Sequence, residues 1–267
     1  MLAGYAYHLT HRCHDQEWLL KLAGDRDEYR TRLRRALRGS GVSLLNYCIT
    51  RNHVHLLATA RDPEAIPGLM QRVQGEHAEC YNRRHDRTGA FWDGRYHCTM
   101  VESGRHLWNC ATYIDLNMVR AGAVAHPRMW RWCGFDELSG RRSRYRLLDR
   151  DLAAEYLAGG SGGVTGSEYE EAVNAALARG GLAREPAWTE SIGVGSQAFV
   201  DGIAGQVRDR VRLEIVESPH GQWTVREEAA AYGRGGPRPG KVQDRVRRPS
   251  LCERGASKAT KVPQDYR

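Results

Sequence analysis

Apolar and polar positions alternate along Ala3-Gly4-Tyr5-Ala6-Tyr7-His8-Leu9-Thr10-His11-Arg12, which predicts a first strand with side chains directed in turn to its two faces. This strand starts almost at the initiating Met, so little or nothing is expected ahead of the domain. A helix is expected from Asp25 to Arg38: Asp25, Asp27 and Glu28 lead, Arg34, Arg35 and Arg38 trail, and Gly39 and Gly41 follow, as the helix macrodipole favours. Its arginines read most simply as a solvated face. Val42 to Ile49 and His53 to Ala60 predict two strands joined by a tight turn at Thr50-Arg51-Asn52, an antiparallel hairpin central to the sheet. Ile66, Leu69, Met70, Val73, His77 and Cys80 then recur at three- and four-residue steps, so Glu64 to Arg84 predicts a second long helix with Pro67 in its first turn.

Thr88-Gly89 breaks the pattern, and Tyr96 to Val101 predicts a further short strand. Trp108 to Gly122 reads as a helix ending at Gly122, with an apolar stripe of Leu107, Cys110, Ala111, Ile114 and Met118. The order strand, helix, hairpin, helix, strand, helix predicts an α+β fold, a ferredoxin-like antiparallel sheet with helices packed on one face. Pro127 to Phe135, with Trp130 and Trp132 as packing residues, closes a domain over residues 1–135. Residues 136–166 are expected to be a linker region, marked by Gly159-Gly160-Ser161-Gly162-Gly163. Residues 167–231 form an expected helical C-terminal extension, with helices over Ser167 to Arg179, capped by Ser167, and over Gln197 to Val211. From Tyr232 apolar residues are sparse among Gly, Pro and Arg, so residues 232–267 are expected to be a basic tail, disordered when free, of a kind that embraces nucleic acid.

Charge sharpens the picture only a little. The formal net charge is +8 over 267 residues, which fits a phosphate-backbone partner and equally fits any basic soluble protein. Seven cysteines, an odd number without a C-x-x-C pair, predict reduced apolar residues rather than a disulfide framework or zinc ribbon. Bilayer-length apolar runs and a signal-like N-terminus are both missing from the sequence, so a cytoplasmic protein with no membrane partner is expected, nucleoid-associated when bound to DNA.

The chemistry concentrates at Asn52-His53-Val54-His55. On a strand, His53 and His55 project from one side while Val54 and Leu56 enter the core opposite, so two imidazoles converge on one spot. Such a pair is often mere half-exposed surface. It can also hold a divalent metal if a third ligand arrives from elsewhere. Tyr113 and Asn117 lie one turn apart at the edge of the apolar stripe and offer a phenol and an amide oxygen. Imidazole plus amide oxygen suits Mg²⁺ or Mn²⁺, although zinc takes the same ligand types. A free tyrosine is only roughly one part in a thousand phenolate at pH 7, so it needs such help to act as a nucleophile.

Three segments, Asn52-His53-Val54-His55-Leu56-Leu57, Phe91-Trp92-Asp93-Gly94-Arg95-Tyr96 and Tyr113-Ile114-Asp115-Leu116-Asn117-Met118-Val119-Arg120-Ala121-Gly122, occur in this order and spacing. Together they resemble the REP-associated tyrosine transposases, relatives of the IS200-type single-tyrosine transposases among the HUH endonucleases. The resemblance covers roughly the first half of the chain, with a weaker echo at Ile192 to Phe199. It implies the HUH nuclease fold and a single-stranded DNA endonuclease and strand transferase that forms a 5′-phosphotyrosine link at hairpin-forming repeats. Tyr113, His53 and His55 would be catalytic, and His53, His55 and Asn117 would hold Mg²⁺ or Mn²⁺. Candidate DNA contacts are Arg12, Arg95, Tyr96 and Arg120. The oligomeric state, monomer or dimer, stays open. Met118 stands where similar sequences often have Pro, and Cys133-Gly134 where they often carry small hydroxyl residues, departures that touch the domain edge more than its chemistry. Two other readings compete: a silent DNA-hairpin-binding regulator of the same fold, and a metallo-hydrolase in which the His pair activates water and Tyr113 is only core. The latter's extra carboxylate ligand is not evident near the motif.

Overall fold

The computed structural model describes residues 1–2, 4–160, 162–180, 183–207, 212–218 and 221–228. Strands β1 (Ala6–Arg12), β2 (Val42–Ile49), β3 (His53–Ala60), β4 (His97–Val101), β5 (Gly193–Gly195), β6 (Leu213–Glu217) and β7 (Trp223–Glu227) share one sheet in the order β2-β3-β1-β4-β5-β7-β6. The first four are antiparallel neighbours. At its far side β4 meets β5 in parallel, Met100 opposite Gly193 and Val101 opposite Val194, and β7 and β6 continue the sheet antiparallel. The helices are α1 (Ala23–Leu37), α2 (Ala65–Arg84), α3 (Arg105–Asp115), α4 (Asn117–Arg120), α5 (Phe135–Leu138), α6 (Arg150–Ala158), α7 (Gly166–Arg179), α8 (Ala187–Glu190) and α9 (Gln197–Val207).

The α+β ferredoxin-like expectation holds: α1 and α2 pack together on one face of the antiparallel core. Tyr29 and Leu33 of α1 and Ile66 and Val73 of α2 are fully buried there, each such apolar burial contributing about 1.5–3 kcal/mol. Polar links follow the same layer, Gln74 donating to the Tyr29 hydroxyl at 3.1 Å and Arg30 to the Tyr47 hydroxyl at 3.0 Å. The last helix of the core crosses the opposite face, where Asn46 of β2 donates to the Ala111 carbonyl of α3 at 3.1 Å. One face therefore carries a helical pair and the other carries α3, so the α+β class stands while the helices occupy both faces and not the one expected. Among the described residues no helix is long and apolar enough to cross a membrane.

Several boundaries shift for local reasons. The first strand begins at Ala6 rather than Ala3, which lies outside the described residues. The expected single helix to Gly122 is interrupted at Leu116, where α3 ends and α4 begins. The α7 cap is Thr165, not Ser167, because Thr165 and Glu168 form a reciprocal capping box that leaves Ser167 in the first turn. Residues 167–231 carry β5, β6 and β7 besides the expected helices; residues 208–211, the expected end of the helix begun at Gln197, fall outside the described residues, as does the tail from Tyr232. The echo at Ile192–Phe199 is the β5 turn, in which Ser196 donates to Glu102 at 2.9 Å.

The described residues of 136–166 are not a free linker; they belong to the same compact unit as the sheet. Residues 132–149 line the outer edge of β2, with Ile49 N–H donating to the Trp132 carbonyl at 2.9 Å, Gly134 N–H to Tyr47 at 2.8 Å and Asp149 N–H to Leu44 at 2.9 Å. The fully buried Glu137 accepts from the Leu147 and Leu148 N–H groups at 2.7 and 3.0 Å. Gly159 is the left-handed cap of α6 (φ 62°), and a Cβ there would sit 2.9 Å from the Gly104 Cα, so this glycine is a packing requirement. Both tryptophans of 127–135 are buried, and the Arg26 guanidinium lies 4.8 and 3.8 Å from the Trp130 and Trp132 ring centres.

One buried acid ties α7 to α3. Tyr169 donates to Asp115 at 2.6 Å, and burial pushes the Asp115 carboxyl from 3.8 up to about 7. Between those two values the folded chain holds a proton that the unfolded chain has lost, so stability falls as pH rises from 3.8 to about 7. Asp115→Asn is expected to flatten that slope and to raise the thermal midpoint at pH 7 by several degrees, measured by calorimetry across the range. An unaltered slope would show that Asp115 does not titrate there.

Candidate functional site

Strand alternation sets the site. In β3, His53 and His55 face α3, while Val54 and Leu56 are wholly buried on the side of α1 and α2. The two rings lie edge-on with centres 4.7 Å apart. The register puts Arg12 beside His53 and Thr10 between His55 and His97. Above them, the interruption at Leu116 leaves Asn117 at the head of α4, its amide nitrogen 2.9 Å from His55 Nε2 and 3.5 Å from His53 Nε2. Tyr113 comes from the end of α3, its ring 6.1 Å from that of His55 and nearly perpendicular to it. All four residues proposed for chemistry thus meet at one place.

Arg120 serves the break as well as the pocket. Its guanidinium sits 4.0 Å from the centre of the Tyr113 ring and donates to the Tyr113 carbonyl at 3.1 Å. Burial raises the Tyr113 phenol above its ordinary pKa, and the positive charges of Arg120 and Arg184 oppose that rise. For the histidines, burial is again the leading cause and acts downward. His53 falls to about 3, helped by the nearby Arg12 charge, and His55 lies well below 6.5, helped by His53 and His8. Both rings are therefore neutral at physiological pH, the form that donates a lone pair to a metal.

The space in front of these residues is a cavity of about 530 Å³ lined by the His pair, Tyr113, Asn117 and four arginines, Arg12, Arg95, Arg120 and Arg184. Arg12 and Arg95 are exposed at its mouth. Tyr96 does not line it; its ring packs edge-on to His11, which pairs with Val54 on the other face. Sequence reading missed His8, His97, Arg184 and Trp188. The parity of β1 was a usable signal for His8, since it shares a face with Thr10 and Arg12. Nothing local marks Arg184 or Trp188, which arrive from far along the chain.

The donor set fits a divalent ion. Among the described residues no group of three or more His, Cys, Asp or Glu is placed to hold one, so the third protein ligand at the His pair would be the Asn117 amide oxygen. A half-turn of that amide exchanges its nitrogen and oxygen at the same position. Two neutral imidazoles and one amide oxygen leave coordination positions open on a six-coordinate ion.

Residues 2–117 match the family model described as "Transposase IS200 like", a span that runs from ahead of β1 to Asn117 and includes the His pair and Tyr113. The solved structure of a REP-associated tyrosine transposase bound to a REP hairpin is 14% identical, covering 52% of this chain and 82% of that one with a TM-score of 0.45. A protein described as a transposase of Deinococcus radiodurans is 17% identical, covering 46% of this chain and 96% of that one with a TM-score of 0.31. No curated protein matches the chain.

Proposed function

Because residues 2–117 match the IS200-like transposases, we propose that this chain cuts and rejoins single-stranded DNA at hairpin-forming repeats, with Tyr113 as nucleophile and Mg²⁺ or Mn²⁺ held by His53, His55 and Asn117. The observation that carries this reading is the convergence of Tyr113 and Asn117 on the His pair inside an arginine-lined cavity. A bound ion would neutralise charge on the scissile phosphate and align it for in-line attack. The protein's own groups do the rest. Arg12 and Arg95, exposed at the mouth, contact flanking phosphates, which position the strand without reading its sequence. Arg120 and Arg184 favour loss of the phenol proton to water. The Tyr113 oxygen then bonds to phosphorus as the bond to the 3′ oxygen breaks, and that oxygen takes a proton from water. The products are a 5′-phosphotyrosine and a free 3′-OH. Attack by a second 3′-OH runs the exchange backwards, one phosphodiester replacing another without ATP.

The competing reading, a silent hairpin-binding regulator, needs the arginines but has no use for a tyrosine beside two bare imidazoles. Incubation with single-stranded hairpin DNA and Mn²⁺ separates the two readings: cleavage supports the transposase, and tight binding without any cleavage supports the regulator. Asn117→Ala is expected to raise the Mn²⁺ concentration for half-maximal cleavage on the order of tenfold, because water replaces one neutral ligand while the His pair remains. An unchanged titration would reduce Asn117 to a helix-start residue.

A further inference from the structure

Three hydrogen bonds run in series from the main chain of α8 to the mouth of the cavity. The Trp188 carbonyl lies 2.9 Å from His8 Nδ1, His8 Nε2 lies 2.9 Å from His55 Nδ1, and His55 Nε2 lies 2.9 Å from the Asn117 amide nitrogen. A main-chain carbonyl can only accept, so His8 Nδ1 must carry the hydrogen. The neutral His8 ring then has a bare Nε2, which accepts from a hydrogen on His55 Nδ1. That leaves His55 Nε2 bare and pointing at Asn117, whose N–H donates to it. No other assignment satisfies all three contacts with neutral rings.

We infer that His8 is a positioning residue: through the Trp188 carbonyl it fixes His55 in the Nδ1–H tautomer and so presents His55 Nε2 to the metal. The inference rests on the proposed function only for the ion; the tautomer stands without it. A plain core role explains His8 less well. It is 0% exposed, and a leucine would fill that space without burying two polar nitrogens. The two ring planes are nearly parallel, 15° apart with centres at 5.0 Å, so the nitrogens that face each other lie close to both planes, where an imidazole donates and accepts. The two histidines also differ in how they are held. His53 Nδ1 has partners within its own turn, Asn52 Oδ1 at 2.8 Å and Thr50 Oγ1 at 3.0 Å. His55 sits between Val54 and Leu56 and takes its partner from β1 instead. The acceptor at the end of the relay is itself anchored: Trp188 is fully buried, its indole donates to Glu185 at 3.0 Å, and its carbonyl lies 3.3 Å from the Thr99 hydroxyl, whose nearer acceptor is the Ser191 carbonyl at 2.8 Å.

The first test needs neither a variant nor a metal. In full-length protein labelled with ¹⁵N-histidine, long-range ¹H–¹⁵N correlation is expected to show His8 and His55 both protonated at Nδ1 and bare at Nε2. A His55 protonated at Nε2 would overturn the inference. The second test compares His8→Gln with His8→Leu by calorimetric titration with Mn²⁺ alone. Glutamine can donate to the carbonyl and accept from His55, whereas leucine can do neither. The Leu variant is expected to bind Mn²⁺ on the order of 10–100-fold more weakly, and the Gln variant to recover most of that loss. Equal Mn²⁺ affinity in the wild type and the Leu variant would overturn the relay, as would an equal loss in both variants. If the Leu variant does not fold, the wild-type spectrum decides. If the wild type binds no Mn²⁺, the proposed function fails while the spectrum still judges the tautomer.

Discussion

Tyr113→Phe is expected to leave hairpin DNA uncut and to form no covalent adduct, whereas the wild-type protein should run on a denaturing gel as an adduct carrying the 5′ end of the cut strand. The loss should be several orders of magnitude, because the substitution removes the attacking atom itself and nothing else in the cavity offers a phenol. The fold should survive. Only one oxygen is lost, and the ring keeps its place under Arg120 at 4.0 Å and beside Trp188 at 6.2 Å. The outcome separates nucleophilic tyrosine from activated water. A water mechanism gives no adduct in the wild type and substantial cutting by the Phe variant, and that result would leave the resemblance as fold without mechanism.

The second large effect belongs to the His pair. His55→Ala should abolish Mn²⁺-dependent cleavage and reduce Mn²⁺ binding to the background of exposed groups, and excess chelator should do the same to the wild type. Binding of hairpin DNA should fall far less, since Arg12 and Arg95 remain and phosphate contacts supply most of the affinity. The variant also strips partners from His8 and Asn117, at a stability cost of about 1–3 kcal/mol for each buried group left unpaired. Cleavage is therefore to be compared at a temperature where circular dichroism shows both proteins folded. Undiminished wild-type cutting in chelator would remove the metal from the mechanism.

How much could be read from the sequence depended on the distance over which each signal acts. Alternation along β3 put His53 and His55 on one face, and the three- and four-residue steps of α2 placed Ile66, Leu69, Met70 and Val73 in the core. Tyr113 and Asn117 were rightly brought together, although Leu116 interrupts the helix expected to carry both. The features that are not legible locally are set by partners remote in sequence. Tyr96, a candidate DNA contact, precedes His97, the residue that shares the Thr10 and His55 row, so it stands away from the cavity; one position along a strand changes the face. The short strand Gly193–Gly195 has no periodicity to read, and its place beside β4 follows from pairing at residues 100 and 101. Glycine-rich composition at 159–163 suggested slack, whereas Gly159 is there because Gly104 approaches too closely for any side chain.

The parallel pairing of β4 with β5 bears on how this chain can be taken apart. A fragment ending near residue 135, the natural choice for anyone isolating the family-matched segment, would strip β5 from β4 and lay bare the main-chain donors and acceptors of residues 97–101. In the whole chain, Met100 N–H donates to the Ile192 carbonyl at 2.8 Å and Glu102 N–H to the Val194 carbonyl at 3.0 Å. An uncovered edge of that kind is a template for sticking to other copies. At that end of the whole sheet the outermost strand is β6, where Glu214 is ion-paired to Arg226 at 2.9 Å and Glu217 stands exposed, charges that discourage such association. Insolubility of the fragment would thus say nothing against the catalytic residues, and minimal versions of this protein should be cut no earlier than residue 228.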